Sequence, residues 1–290
     1  MLTADMLRLM DWALREDVGI GDCTSLSSVP EGMLHEGFVL AKEEGVVAGI
    51  EVAQEVFRMV DERIQFEALK LDGEVVLQGD LIIRVKGPAR GILSAERLAL
   101  NFLQRMSGVA TMTRHATDAL KGTPTRVLDT RKTTPGLRAF EKWAVQLGGG
   151  VNHRMGLYDM ILIKDNHVDY AGSMTAALTG VQSYFNQGNP RVPVVVEVRS
   201  MDELEEAMSA SSDQGLALER LLLDNFTPDQ VRGAVRWVAG RLPLEASGGI
   251  DLSNLRSYGE AGVDFVSMGA LTHSVKSLDL SLKSHPTLQP

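Results

Sequence analysis

Leu221-Leu222-Leu223-Asp224-Asn225 is the stretch on which the fold turns: three leucines in a row, closed by an acid and an amide. Five more runs share its form. They are Arg126-Val127-Leu128-Asp129-Thr130-Arg131-Lys132, Met160-Ile161-Leu162-Ile163-Lys164-Asp165, Val194-Val195-Val196-Glu197-Val198, Leu244-Glu245-Ala246-Ser247-Gly248-Gly249 and Phe265-Val266-Ser267-Met268-Gly269. Amphipathic helical windows separate them, which is the βα alternation of a parallel sheet. A full eight-stranded barrel takes about 250 residues. Residues 125–271 fall well short of that, so six βα units in an open barrel are expected.

Upstream of Gly122 the pattern differs. Thr3 precedes Met6, Leu7, Met10, Ala13 and Leu14 at helical spacing, so an opening helix capped by Thr3 and running to Arg15 is expected, followed by the loop Asp17-Val18-Gly19-Ile20-Gly21-Asp22. From His35 to Gly91, short extended runs such as Gly37-Phe38-Val39-Leu40-Ala41 and Leu81-Ile82-Ile83-Arg84-Val85 alternate with glycine-containing turns, with one helix across Glu51 to Val60. This reads as a small α+β sheet domain. A further helix is expected to start at Ser94, with Leu93 and Leu98 as a hydrophobic staple. It carries Arg97, Asn101 and Gln104 on one polar stripe, whose simplest reading is a solvated face.

The 290 residues are 44% hydrophobic and 23% charged, enough for one large domain or two modest ones. A net charge of -9 disfavours a general nucleic-acid binder, whose affinity rests on Lys and Arg neutralising phosphates. Any anion site is then a local basic pocket. The opening residues lack the pattern of a secretory signal, and no window approaches the roughly 20 apolar residues that span a bilayer. A lone cysteine, Cys23, can form no intrachain disulfide. A cytoplasmic location, away from membrane and nucleic acid, is the expectation.

In α/β barrels the loops after the strands converge, so strand-end residues form the active site. Three kinds of group stand there. Arg131, Lys132, His153, Arg154 and Lys164 are cationic and suit a ligand with more than one carboxylate or phosphate; separate surface salt bridges are the plainer alternative. Glu197 and Asp224 are hard oxygen donors with little His or Cys nearby, which points to Mg²⁺ held by one or two carboxylates and substrate phosphates. An acid–base pair or a structural ion pair with the cations would use the same residues. The glycine-rich turns Ser247-Gly248-Gly249-Ile250-Asp251 and Met268-Gly269-Ala270-Leu271-Thr272, each read as leading into a helix, offer backbone N–H groups to phosphate. These residues reach an anionic, phosphate-containing substrate with Mg²⁺, and do not name the reaction.

At Asp129-Thr130-Arg131-Lys132-Thr133-Thr134-Pro135-Gly136-Leu137-Arg138 the chain resembles the quinolinate phosphoribosyltransferase family. The resemblance continues through Gly148-Gly149-Gly150-Val151-Asn152-His153-Arg154, Ile163-Lys164-Asp165-Asn166-His167, Leu222-Leu223-Asp224-Asn225-Phe226, Glu245-Ala246-Ser247-Gly248-Gly249-Ile250 and Gly269-Ala270-Leu271-Thr272-His273-Ser274. It covers nearly the whole chain, in order. It implies an α/β protein with an N-terminal α+β sandwich domain (1–112, rejoined by 272–290) and an open six-stranded α/β barrel (113–271), the type II phosphoribosyltransferase arrangement. The implied reaction moves the phosphoribosyl group of phosphoribosyl pyrophosphate (PRPP) to quinolinate with loss of CO₂, giving nicotinate mononucleotide and pyrophosphate in NAD biosynthesis.

The resemblance also implies a homodimer in which Arg97 reaches the partner's site, so that its polar stripe faces a neighbour rather than solvent. Carried over residue by residue, Arg131, Lys132, His153, Arg154 and Lys164, with Arg97, hold the carboxylates and ring-nitrogen side of quinolinate. Glu197 and Asp224 anchor the ribose and the Mg²⁺-bound pyrophosphate. Ser247, Gly248, Gly249, Gly269, Ala270 and Leu271 take the 5-phosphate, and Asn166 and His167 stand near the ribose or diphosphate. Lys132, Lys164, Glu197 and Asp224 are the candidate catalytic residues.

One departure is visible: family members often show Glu-Val-Glu where this chain has Val195-Val196-Glu197, and Arg199 alters the local charge. The rival readings are a molybdenum-transport-associated homologue, expected to lack the full Asn-His-Arg and Lys-Asp-Asn-His motifs that are intact here, a phosphate-binding barrel aldolase using Lys164 as a Schiff-base lysine, and a non-catalytic phosphometabolite sensor. The tail Ser284-His285-Pro286-Thr287-Leu288-Gln289-Pro290 is expected to fray.

Overall fold

The computed structural model describes residues 2–284, so the tail beyond Ser284 lies outside the described residues. In chain order the elements are α1 (Ala4–Val18), α2 (Cys23–Ser28), β1 (Leu34–Ala41), β2 (Gly45–Val46), α3 (Ile50–Val60), β3 (Gln65–Ala68), β4 (Val75–Val76), β5 (Leu81–Pro88) and α4 (Ala89–Ala119). They continue with β6 (Arg126–Leu128), α5 (Arg138–Leu147), β7 (Ile161–Ile163), α6 (Asp165–Ala171), α7 (Met174–Asn186), β8 (Val194–Val198), α8 (Met201–Asp213), β9 (Arg220–Asp224) and α9 (Pro228–Val238). Last come β10 (Leu244–Ser247), α10 (Leu255–Ala261), β11 (Phe265–Ser267), α11 (Ala270–His273) and β12 (Leu280–Lys283). Two compact units result, one of Met1–Arg114, Thr133–Gly149 and Leu271–Pro290, the other of His115–Lys132 and Gly150–Ala270.

The first unit is built on an antiparallel sheet ordered β12-β1-β5-β3, beside a two-stranded β2-β4 pair. The Thr3 hydroxyl accepts the Met6 N–H and opens α1, which ends at Gly19, whose positive φ of 55° suits a residue without a Cβ. The helix overruns its expected end at Arg15 by most of a turn and takes in Asp17 and Val18 from the expected loop. α3 buries Val52, Ala53, Val56 and Phe57 on one face. β12 brings the C-terminal segment back to β1, with Phe38 opposite Lys283, and Gln104 Nε2 donates to Leu280 O at 2.8 Å. Gln104 is thereby drawn off the expected polar stripe, while Arg97 and Asn101 remain exposed.

The expected helix start at Ser94 is corrected. α4 begins at Ala89, directly after Pro88, and the Ala89 N–H is satisfied by Met33 O at 2.8 Å. Gly91 lies inside this helix and fits because it lacks a side chain: a Cβ there would lie 3.1 Å from Asp61 Cβ. Ser94 Oγ instead donates to Asp22, the N-cap of α2, and Leu93 is exposed, so no staple forms. Inside the same unit Arg105 bonds the buried Glu141 at 2.6 Å, the Thr134 hydroxyl at 3.3 Å and the Thr272 and Val275 carbonyls, tying three chain segments together.

The second unit holds a parallel sheet ordered β6-β11-β10-β9-β8-β7. This is chain order read around a ring, with β11 returning to β6 and no pairing between β6 and β7. The barrel is therefore open between its first two strands, where Val151 adds an isolated parallel bridge to Leu128. Ser173, Ser200 and Thr227 cap α7, α8 and α9 through their hydroxyls, and Pro228 takes the first position of α9, where its missing N–H costs nothing.

Candidate active site

Residues in register on neighbouring parallel strands share a face of the sheet, and every second residue along a strand returns to it. Leu162 pairs with Val195, Val195 with Arg220, Glu197 with Leu222, Leu222 with Glu245, Asp224 with Ser247, and Glu245 with Phe265. One face therefore carries all of them. Leu162, Val195, Leu222 and Met160 pack as an apolar floor, and Glu197, Asp224 and Ser247 follow at the carboxyl ends. Lys164 stands two residues beyond Leu162, and its Nζ lies 2.8 Å from Glu197 Oε2.

Local backbone chemistry aims these groups. The Lys164 N–H donates to His167 Nδ1 at 3.0 Å, so His167 fixes the start of α6, a capping role beyond its motif membership. Asn225 adopts φ 57°, a left-handed conformation asparagine tolerates, donates its side-chain N–H to Asp224 Oδ2 at 2.7 Å, and gives its backbone N–H to Ser247 O at 2.8 Å. Gly248, at φ 102°, packs against that turn, and a Cβ there would sit 2.9 Å from Asn225 N and closer still to its side chain. The Asp-Asn and Gly-Gly turns thus interlock.

The expected helix after Ser247-Gly248-Gly249 is corrected: α10 starts only at Leu255, after a turn in which Asp251 and Asn254 bond nearby backbone. Phosphate capture there would rest on turn amides, with Gly249 facing open space. α11 does begin at Ala270, directly after Gly269. Leu271 is fully buried, so only its backbone is available to a ligand, and it counts with the first unit, as does Arg97. All the other candidate residues, from Arg131 to Ala270, belong to the second.

Two groups are electrostatically uncomfortable. Burial, and then the neighbouring Arg131, push the Arg154 guanidinium below its ordinary value, with Asp159 opposing. Burial also pushes the Asp224 carboxyl up against the pull of Lys164 and Lys132, and Asp165 adds to that push. Arg131 thus acts on the buried Arg154, and Lys164 and Lys132 act on the Asp224 carboxyl. Arg199, in contrast, is turned onto α8: its Nε and Nη2 reach Glu203 at 3.0 and 2.8 Å, and Val195 lies wholly in the apolar floor.

Among the described residues no group of three or more His, Cys, Asp or Glu side chains is arranged to hold a metal ion. Glu197 and Asp224 are the carboxylates that would hold Mg²⁺, which commonly takes one or two carboxylates and keeps its remaining positions for water and substrate phosphates; Glu197 Oε2 here accepts from Lys164 Nζ.

Three residues beyond the expected set complete the site from beneath. Asp129, fully buried, accepts the His153 N–H at 2.8 Å. Glu245, also fully buried, meets Arg220 Nε at 2.5 Å and His153 Nε2 at 3.5 Å. The available signal was a charge inside an apolar strand, as in Leu244-Glu245-Ala246.

Comparison with known proteins adds a second line. Residues 22–107 match the family described as quinolinate phosphoribosyl transferase, N-terminal domain, and residues 109–283 match its C-terminal domain. The chain is similar to the chloroplastic nicotinate-nucleotide pyrophosphorylase [carboxylating] of Arabidopsis thaliana, 44% identical over 97% of this chain and 83% of that protein. It is similar to a probable nicotinate-nucleotide pyrophosphorylase [carboxylating] of Bacillus subtilis, 42% identical over 95% of this chain and 92% of that one. The solved structure of NadC from Streptococcus pyogenes matches with a TM-score of 0.90 at 40% identity, covering 98% of this chain and 97% of that one.

Proposed function

The chain belongs to the quinolinate phosphoribosyltransferase family, and from that premise we propose how its own residues carry the reaction. It transfers the phosphoribosyl group of PRPP to quinolinate with decarboxylation, a step of NAD biosynthesis that releases pyrophosphate and CO₂. The observation that supports the residue assignment is the crowding of Arg131 against the buried Arg154, a positive charge density that a dicarboxylate relieves.

Arg131, Lys132, Arg154 and Lys164 grip the quinolinate carboxylates, with His153 beside them. Glu197 and Asp224 hold the ribose of PRPP and complete the shell of Mg²⁺, while Ser247, Gly248, Gly249, Gly269, Ala270 and the Leu271 backbone take the 5-phosphate. Bound Mg²⁺ supplies charge to the leaving pyrophosphate. As that bond breaks, positive charge develops on the ribosyl carbon, and the pyridine nitrogen, aimed by the carboxylate contacts, captures it. The positively charged alkylated ring then stabilises the electron pair left on the 2-carbon when the 2-carboxylate departs as CO₂, and that carbon takes a proton from water to give nicotinate mononucleotide. Lys164 Nζ is engaged by Glu197 Oε2 at 2.8 Å, which argues against its use as a Schiff-base nucleophile.

We also assign a homodimer in which the exposed Arg97 enters the partner's pocket, and a cytoplasmic location. The support for the first is the exposure of Arg97 on α4; for the second, the opening residues, which lack the pattern of a secretory signal.

The deciding assay is purified protein with PRPP, Mg²⁺ and either quinolinate or nicotinate. Nicotinate mononucleotide and CO₂ are expected from quinolinate alone. Product from nicotinate only, or none from either, would refute the reading. Mixing inactive Arg97→Ala and Lys164→Ala proteins should restore part of the activity, and no recovery after subunit exchange would refute the shared site.

A further inference from the structure

We propose that Glu245 is a positioning residue of the quinolinate pocket, a buried carboxylate that keeps the His153 ring proton on Nε2 and through His153 fixes the backbone of Arg154. The proposal rests on the reading of Arg154 as a carboxylate-gripping residue.

Glu245 lies in the middle of β10 with no exposed surface. A buried carboxylate is costly unless it is paired, and an apolar pair of similar size commonly serves a core as well or better. Its pairing here is divided. Arg220, on the adjacent strand and itself buried, donates from Nε to Oε2 at 2.5 Å. Oε1 is left to face His153 Nε2 at 3.5 Å. A carboxylate needed only to neutralise Arg220 could turn both oxygens to it, in the two-pronged geometry that guanidinium favours.

The other side of the imidazole specifies what Glu245 does. The Arg154 backbone N–H donates to His153 Nδ1 at 2.7 Å. An amide N–H can only donate, so Nδ1 carries the lone pair and the ring proton sits on Nε2, opposite Glu245. The alternative tautomer would set two N–H groups against each other at Nδ1 and a lone pair against a carboxylate at Nε2. Asp129 meanwhile accepts the His153 N–H at 2.8 Å. The His153–Arg154 backbone is thus held by Asp129, directly after β6, and by the His153 ring, whose Nε2 faces Glu245 Oε1 on β10 at 3.5 Å.

His153 changes character in this arrangement. The sequence reading counted it as a cation for a carboxylate; with its Nε2 directed at Glu245 and its Nδ1 accepting a backbone proton, it is a neutral strut that aims Arg154. The charge that meets quinolinate is then supplied by arginine and lysine.

The test uses intact protein with ¹⁵N-labelled histidine. The His153 ring signals, assigned by their loss in His153→Asn, should report the proton on Nε2. Glu245→Gln should shift that signature and raise the quinolinate KM about tenfold while the PRPP KM moves less than about twofold. Because that variant strands a buried Arg220 charge, Glu245→Leu combined with Arg220→Met removes both charges together and should show the same split. Folded variants that keep the wild-type ring signature, or equal losses for both substrates, overturn the proposal. Arg154→Ala with an unchanged quinolinate KM would instead defeat the reading of the pocket and leave the ring-nitrogen result standing.

Discussion

Lys164 Nζ lies 2.8 Å from Glu197 Oε2, an ion pair between the ends of neighbouring strands, and the glutamate side chain is only 8% exposed. Removing either partner leaves the other poorly compensated, so the two act as one unit. Lys164→Ala and Glu197→Gln should each lower kcat/KM by about a hundredfold, and the double variant should be little worse than either. Strictly additive losses in a double-mutant cycle would show that the pair is not coupled in the reaction.

Arg154 meets Met160 O through Nη1 at 3.0 Å, which orients its guanidinium. Hydrogen bonds to charged groups contribute about 1.5–3 kcal/mol. Arg154→Ala should accordingly raise the quinolinate KM by about 10- to 100-fold with little change for PRPP, and Arg154→Lys should recover only part of it, since lysine lacks the planar fork. Steady-state kinetics in both substrates checks this.

Asp224 is pushed up by burial, so the folded state binds its proton more tightly than the unfolded chain does. Its contribution to stability is present below the unfolded value of about 3.9 and is lost as pH rises through the folded value. Asp224→Asn should unfold at higher urea than the parent at pH 7, the gap closing near pH 3, while activity is abolished. A less stable variant at neutral pH would contradict the assignment.

Glu245 behaves with the opposite sign. Burial alone would raise its pKa, yet His153 and Arg220 hold it lowered. Its stabilisation is full above about pH 4.3 and is lost as pH falls through the lower folded value. Acid unfolding curves of the parent and Glu245→Gln should therefore converge below pH 4.3.

Adjacent glycines should respond differently. A methyl on Gly248 collides with Asn225, so Gly248→Ala should disturb both turns and lower the melting temperature by several degrees. Gly249→Ala meets no atom within 4 Å and bears only the strain of φ 59°, about 1–2 kcal/mol. Its larger effect should fall on the PRPP KM, because the methyl stands in open space at the turn assigned to phosphate.

Local periodicity made the strand runs and the opening helix readable, because each depends on residues a few positions apart. Val194 to Val198 is a strand in both readings, and Thr3 caps as expected. Ser94 misled because its capping chemistry is genuine; what it could not reveal is that Met33, 56 positions before Ala89, would satisfy the helix five residues earlier. The Gly-Gly turn misled likewise, since α10 is delayed by a turn in which Asn254 accepts the Asp251 N–H and donates to Gly249 O, and Asp251 accepts the Ser253 N–H.

The amino-acid sequence by itself determined the six-unit α/β plan and which side chains stand at the strand ends, because short apolar runs and the charges that close them are local properties. Only the tertiary structure decided how those charges are used. That Lys164 answers Glu197, that Arg199 turns to Glu203, and that Glu245 divides itself between Arg220 and His153 all follow from strand register and burial. Such pairings depend on distances between residues up to 92 positions apart, set when the sheet assembles and water is excluded from the groups it covers.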